Sequence, residues 1–138
     1  MTGFVLDASV ALAWCFHDEA SAETAAVLDQ LHKNYALVPV IWPLEMANIL
    51  AVAERNRRIS AAVTAEFAMQ LQALDIRVDE VLANRALGDL LRFVRTTGLT
   101  AYDASYLELA MRSGLPLATR DRALATAARR NGVAVIRC

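Results

Sequence analysis

Cysteine is nearly missing from this chain. Cys15 and Cys138 stand alone, which gives no disulfide framework and no zinc-ligand pattern, and reduced thiols fit the cytoplasmic location expected by default. Lysine is scarcer still. Lys33 is the only one among 14 basic residues, so the positive charge is almost all arginine, a side chain suited to bidentate phosphate contacts. Neither sign is in excess. The net charge is −1, and the whole-protein field does not announce a nucleic-acid binder. No long apolar run is uninterrupted: the most apolar stretch, residues 35–53, contains Pro39, Pro43, Glu45 and Asn48 and is a poor membrane span. The first residues lack a basic segment, and Asp7 breaks any leader-like apolar core, so no secretory signal is expected. Repeats, low-complexity tracts and linker-like composition are also missing. Residues 1–138 are expected to form a single domain.

What the chain does have is apolar surface. Hydrophobic residues make up 57%, much of it alanine, which suggests close helix packing and an apolar face left for a partner. A chain of 138 residues can bury a sizeable core without disulfides or structural metals. Short apolar runs predict strands over residues 4–6, 36–40, 76–78, 115–118 and 133–136. The third alternates with charge and is expected at a sheet edge. Helical spacing predicts helices over 9–16 and 20–33, and another carrying Met46, Ile49, Leu50 and Ala53. Ser60 caps a further helix with a Val63, Phe67, Leu71, Leu74 stripe. Leu87, Leu90, Leu91 and Val94 mark one ending near Gly98. Thr100 and Asp103 have capping-box spacing at the start of one that stops at Gly114, and the last covers 122–131. Strands alternating with helices argue an α/β fold, a parallel sheet with helices on both faces and right-handed crossovers.

Four carboxylates fall at element junctions. Asp7 follows the first strand, Glu45 lies in the first turn of the helix after the second, and Asp121 follows the fourth. These share the carboxyl edge of the sheet, where open α/β folds bind ligands. Asp103 joins them only if the helix pair before the fourth strand turns back on itself. Carboxylates crowded in one crevice do not all stay ionised without a cation. A hard divalent metal with oxygen ligands resolves the repulsion, and such a metal can generate a nucleophile and stabilise in-line displacement at phosphorus. Ser9, Asn48 and Thr119 are placed to orient a carboxylate or a bound water. Each acid also has an ordinary role: Asp7 or Asp121 as a helix N-cap, Asp103 as a helix-dipole partner.

Together, the segments 5–9, 43–48, 99–104 and 116–128, in this order, resemble the PIN-domain ribonucleases, in particular the VapC toxins of toxin–antitoxin pairs. The resemblance covers nearly the whole chain. It implies a three-layer α/β/α fold with five parallel strands in the order 3-2-1-4-5. It implies that Asp103 reaches the site, and that Asp7, Glu45, Asp103 and Asp121 bind Mg2+ or Mn2+ and catalyse endonucleolytic cleavage of RNA. Ser9, Asn48 and Thr119 match its supporting polar positions. It also implies a homodimer and a VapB-type antitoxin lying across the active-site groove, in a heterotetramer or larger complex. The candidate apolar groove is built from Val10, Trp14, Phe16 and the Glu45 helix.

Arg120 and Arg122 flank Asp121 and are placed for backbone phosphates. Arg55, Arg57 and Arg58 are expected to complement a helix C-terminus. His17 and His32 are expected at the surface or in packing, and Tyr102 and Trp42 in the core rather than stacked on bases. The competing reading is a non-catalytic binding or regulatory module on the same fold. A receiver-like domain needs a lysine late in the chain, and Lys33 is the only one. A haloacid-dehalogenase-type phosphatase needs a second Asp where Ser9 stands.

Overall fold

A computed structural model describes residues 2–138, apart from the side chains of residues 82 and 83. The strands β1 (Gly3–Leu6), β2 (Tyr35–Pro39), β3 (Ile76–Asp79), β4 (Leu117–Ala118) and β5 (Val135–Ile136) form one parallel sheet in the order β3-β2-β1-β4-β5. The apolar run of β1 has no alternation because it is central and every residue is buried. β3 is at the edge, where Arg77 and Val78 meet solvent. β4 is shorter than its apolar run: Pro116 has no N–H to give a ladder, although its carbonyl accepts from Val5 N–H at 2.8 Å.

The helices α1 (Ala8–Ala13), α2 (Ala22–Lys33), α3 (Ile41–Arg55), α4 (Ala61–Gln72), α5 (Leu91–Thr97), α6 (Ala101–Ser113) and α7 (Arg122–Arg130) complete the layers. Ser60 caps α4 as expected, accepting from Val63 N–H at 3.1 Å. α2 begins two residues later than its pattern, because Ser21 and Thr24 form a full capping box there. At α6 only half of the expected box is formed between backbone and side chain: Thr100 Oγ1 accepts from Asp103 N–H at 3.1 Å. The helix expected through Leu87 and Leu90 is not one α-helix. It is a 3-10 turn (Val81–Arg85), a π-turn (Ala86–Leu90) and then α5. Gly88 weakens α-helix there, and the segment is anchored by charge: Arg85 pairs with Asp89 and lies 3.2 Å from Glu108.

α6 carries the core. It packs on β1, β2 and β4, and every residue from Ala104 to Ala110 is buried. Glu108 is among them, 2% exposed, and is held by Arg112 at 2.8 Å, which also reaches Asp79 at the end of β3. The direction of α6 is set by Gly98, whose left-handed backbone (φ 72°) ends α5 and turns the chain back. An L-residue is disfavoured at that φ. Leu44, Met69 and Leu87 are exposed, consistent with the apolar excess. Among the described residues no helix is long and apolar enough to cross a membrane.

The groove expected from Val10, Trp14 and Phe16 has to be corrected. Val10 and Phe16 are buried in the core. Phe16 instead lies under the Arg58 guanidinium, 3.7 Å from its ring centroid. Arg58 in turn pairs with Asp18 and Glu19, both at 2.8 Å, so it ties the turn after α1 to the end of α3 rather than complementing a helix terminus. Trp14 alone reaches a surface groove of about 470 Å3, between α2 and α4, with Leu28, Phe67 and Leu71.

Candidate active site

Asp7 stands one residue past β1, at the switch point where the chain leaves the centre of the sheet for both sides. Its N–H donates to Ala118 O at 3.0 Å, which locks the end of β1 to the end of β4. It occupies the N-cap position of α1 but makes no side-chain cap bond. Its Oδ2 accepts instead from Ser9 Oγ and Thr119 Oγ1, each at 2.7 Å.

Both hydroxyls have their proton direction fixed. Ser9 Oγ accepts from Arg120 N–H at 3.1 Å, and Thr119 Oγ1 accepts from Asp121 N–H at 3.0 Å. Each therefore has its single proton free for Asp7. Both donors use Oδ2, which leaves Oδ1 as the oxygen available to a ligand.

Asp121 caps α7 through Oδ1, accepting from Leu124 N–H at 2.9 Å, so its ordinary role is real but occupies one oxygen. Glu45 is half-buried in the second turn of α3, later than the first-turn position its sequence suggested, since α3 starts at Ile41. Its Oε1 accepts from Tyr106 O–H at 2.6 Å. Asp103 is half-buried in the first turn of α6. The turn at Gly98 supplies the reversal that Asp103 needed.

Three of the four acids are shifted, each in part by its acidic neighbours. Burial pushes the Asp7 carboxyl up, the two hydroxyls oppose the shift, and Asp121 adds to it. Burial also raises Glu45, against the Tyr106 hydroxyl, with Asp7 and Asp103 adding. Asp103 is raised by burial, then by Asp121 and Asp7. Burial and the nearby carboxylates hold Tyr106 far above the ordinary phenol range, so it stays a donor. Uncompensated negative charge of this kind marks a site that gains from a cation.

Among the described residues, however, no three acidic, histidine or cysteine side chains stand close enough to form a ready cage. The donor set fits a hard divalent ion in chemistry: oxygen only, with Asp7 Oδ1 free. With no such cage, an ion held there would have to keep waters in its shell, as Mg2+ does.

Thr119 and Ser9 thus lie where the sequence placed them. Asn48 does not join: it is exposed, and among the described residues it donates to no site acid. Arg122 is exposed, while Arg120 is drawn away by an ion pair with Glu19 at 3.0 Å. Trp42 is buried as expected, but Tyr102 is 62% exposed beside Asp103, because its position in the first turn of α6 faces away from the sheet. Tyr106 was missed by sequence reasoning. Its signal was its place three residues after Asp103, on the same helical face.

Comparisons with known proteins agree with this architecture. No curated protein matches the chain. Among solved structures, PAE2754 from Pyrobaculum aerophilum superposes with a TM-score of 0.69 at 27% identity, covering 98% of this chain and 84% of that one. FitAcB from Neisseria gonorrhoeae superposes with a TM-score of 0.62 at 21% identity, covering 97% and 96%, a likeness of fold alone. The family described as PIN domain matches residues 4–130, which span all four acids. On that match, and on the sheet order that brings both ends of the sequence to one edge, the chain belongs to the PIN domain family.

Proposed function

We propose that this chain is a single-domain, metal-dependent endoribonuclease and the toxin of a type II toxin–antitoxin pair. PIN domains are generally nucleases and generally use divalent metals. The finer reading rests on one observation: an acid set in a shared field, in which Asp7 is held by two hydroxyls that leave one oxygen free.

Asp7, Glu45, Asp103 and Asp121 would hold Mg2+, or Mn2+. When bound, such an ion would supply charge neutralisation at the substrate phosphate and activation of water for attack. The chain's own residues do the positioning. Ser9 and Thr119 orient Asp7, and Tyr106 holds Glu45 towards the crevice. The cap bond fixes the rotamer of Asp121. The partners we assign are RNA, an antitoxin covering the groove, and a second copy of the chain, in the cytoplasm.

The alternative, a non-catalytic binding module, is favoured by the spread of the acids, since no three form a ready cage among the described residues. One experiment separates the two. Purified protein is incubated with total RNA and Mg2+, and the cleavage ends are mapped beside an Asp7→Asn control. Metal-dependent cuts that vanish in the control are expected. Cuts that persist at full rate in the control, or no cuts with the wild type, overturn the nuclease reading.

A further inference from the structure

Six arginines of this chain are held by acids, and of the others, which include Arg55, Arg57, Arg95 and Arg130, three line one crevice. Arg58, Arg77, Arg85, Arg92, Arg112 and Arg120 stand in ion pairs with acids. Among the described residues Arg122, Arg129 and Arg137 make none, and all three are exposed. The fold gathers these three on one wall. α7 buries Leu124, Ala125, Ala127 and Ala128, so Arg122 and Arg129, seven residues apart, share its outer face. Arg137 follows β5 directly beside them.

With Thr119 and Asp121 they line a crevice of about 820 Å3 that starts at the acidic edge. Glu23 also lines it and pairs with none of them.

Arg120 also lines the crevice but is paired with Glu19; the three guanidinium groups without an acid repel one another unless an anion sits between them. A single small anion cannot serve them all, because Arg122 and Arg129 are separated by about 10 Å of helix at 1.5 Å per residue. A chain of anions can. The crevice includes Asp121, so a polymer held in it passes one of the four acids. A groove of positive charge that follows a backbone is how single strands are held without reading sequence.

We infer that this crevice is the track for the phosphodiester backbone of single-stranded RNA flanking the cleaved bond, with Arg122, Arg129 and Arg137 on successive phosphates. The inference rests on the nuclease reading above. It moves the electrostatic contribution from the pair Arg120 and Arg122 to residues nearer the end of the sequence.

The test is equilibrium binding of a fluorescent single-stranded RNA to the Asp7→Asn protein in Mg2+, across a range of salt. Arg129→Gln/Arg137→Gln is compared with Arg55→Gln/Arg57→Gln, an equal loss of charge elsewhere, and thermal melts confirm that both fold. The crevice pair should weaken binding by about tenfold or more and flatten the slope of log K against log salt by about 1.4, at about 0.7 per phosphate contact on a single strand. The control pair should change neither.

Unchanged affinity and slope in the crevice pair overturn the inference, as does equal damage from the control pair. RNA binding that is unchanged while binding of a poly-glutamate peptide is lost also overturns it, and assigns the crevice to an acidic protein partner. Failure of the nuclease reading is a separate outcome: it appears as absent cleavage by the wild type, whatever the binding result.

Discussion

Thr119 Oγ1 lies 2.7 Å from Asp7 Oδ2, although 112 positions separate the two residues. The same hydroxyl accepts the Asp121 N–H at 3.0 Å. One buried side chain therefore sets the orientation of one acid and the backbone of another. It can do so because β1 and β4 are adjacent and parallel, with Leu6 paired to Ala118.

Replacing that hydroxyl should separate orientation from charge. Thr119→Val keeps the shape but removes both bonds, so Mg2+ affinity and cleavage should fall together by about 10- to 100-fold, the usual cost of losing a group that orients a metal ligand. Stability should fall by about 1–3 kcal/mol for the buried donors and acceptors left unpaired. Thr119→Ser should keep most of both. Calorimetric metal titration and a cleavage assay measure the two effects; a Val variant with wild-type metal affinity would refute the orienting role.

Stability should depend on pH in a direction set by the acids. Asp7, Glu45 and Asp103 all have carboxyl groups raised in the fold. In the window above their unfolded values the native state binds more protons than the unfolded chain, so unfolding free energy falls as pH rises. In EDTA the melting temperature should therefore drop as pH rises from about 4 into the shifted range, as far as these groups dominate. Mg2+ competes with protons for the same oxygens, so the stabilisation it gives should grow over that window. Differential scanning fluorimetry with and without Mg2+ checks both, and a Mg2+ effect independent of pH would contradict the shared site.

Tyr106→Phe should move a pH profile. The hydroxyl lowers the Glu45 carboxyl against burial, so without it the group is raised further. The acid limb of the cleavage profile should shift to higher pH, with the rate recovering towards wild type on the alkaline side. A uniform loss at every pH would instead indicate a packing defect, which the melt of the variant would reveal.

Glu108 offers a structural contrast. It is buried and ion-paired with Arg112 and Arg85, away from the acids' hydrogen bonds. Glu108→Gln removes the buried charge that the two arginines share and leaves Arg112 to Asp79 and Arg85 to Asp89, and should destabilise the fold by about 1–3 kcal/mol, read from urea unfolding. Mg2+ affinity of the folded protein should be unchanged.

Much of the architecture was legible because hydrophobic period and turn chemistry are local. The unalternating run of β1, the charged edge strand β3, the Ser60 cap and the stops at Gly98 and Gly114 were all readable from neighbouring residues. The segment before α5 was not, because its turns are set by Arg85 reaching Glu108 on a distant helix. The false groove has the same origin. Val10 and Phe16 have the composition of an interface, but composition does not say which apolar residues the core takes first.

The sequence by itself determined the order of the elements, the strand order through its resemblance, and the four acids at their junctions. Local propensity and side-chain chemistry are properties of short segments and survive without coordinates. Only the tertiary structure decided which oxygens are free. It turned Asp7 from its cap position towards Thr119, joined Glu45 to Tyr106, withdrew Arg120 to Glu19 and collected Arg122, Arg129 and Arg137 on one wall. Those outcomes depend on distance and direction between groups far apart in the chain, and chain folding alone sets these.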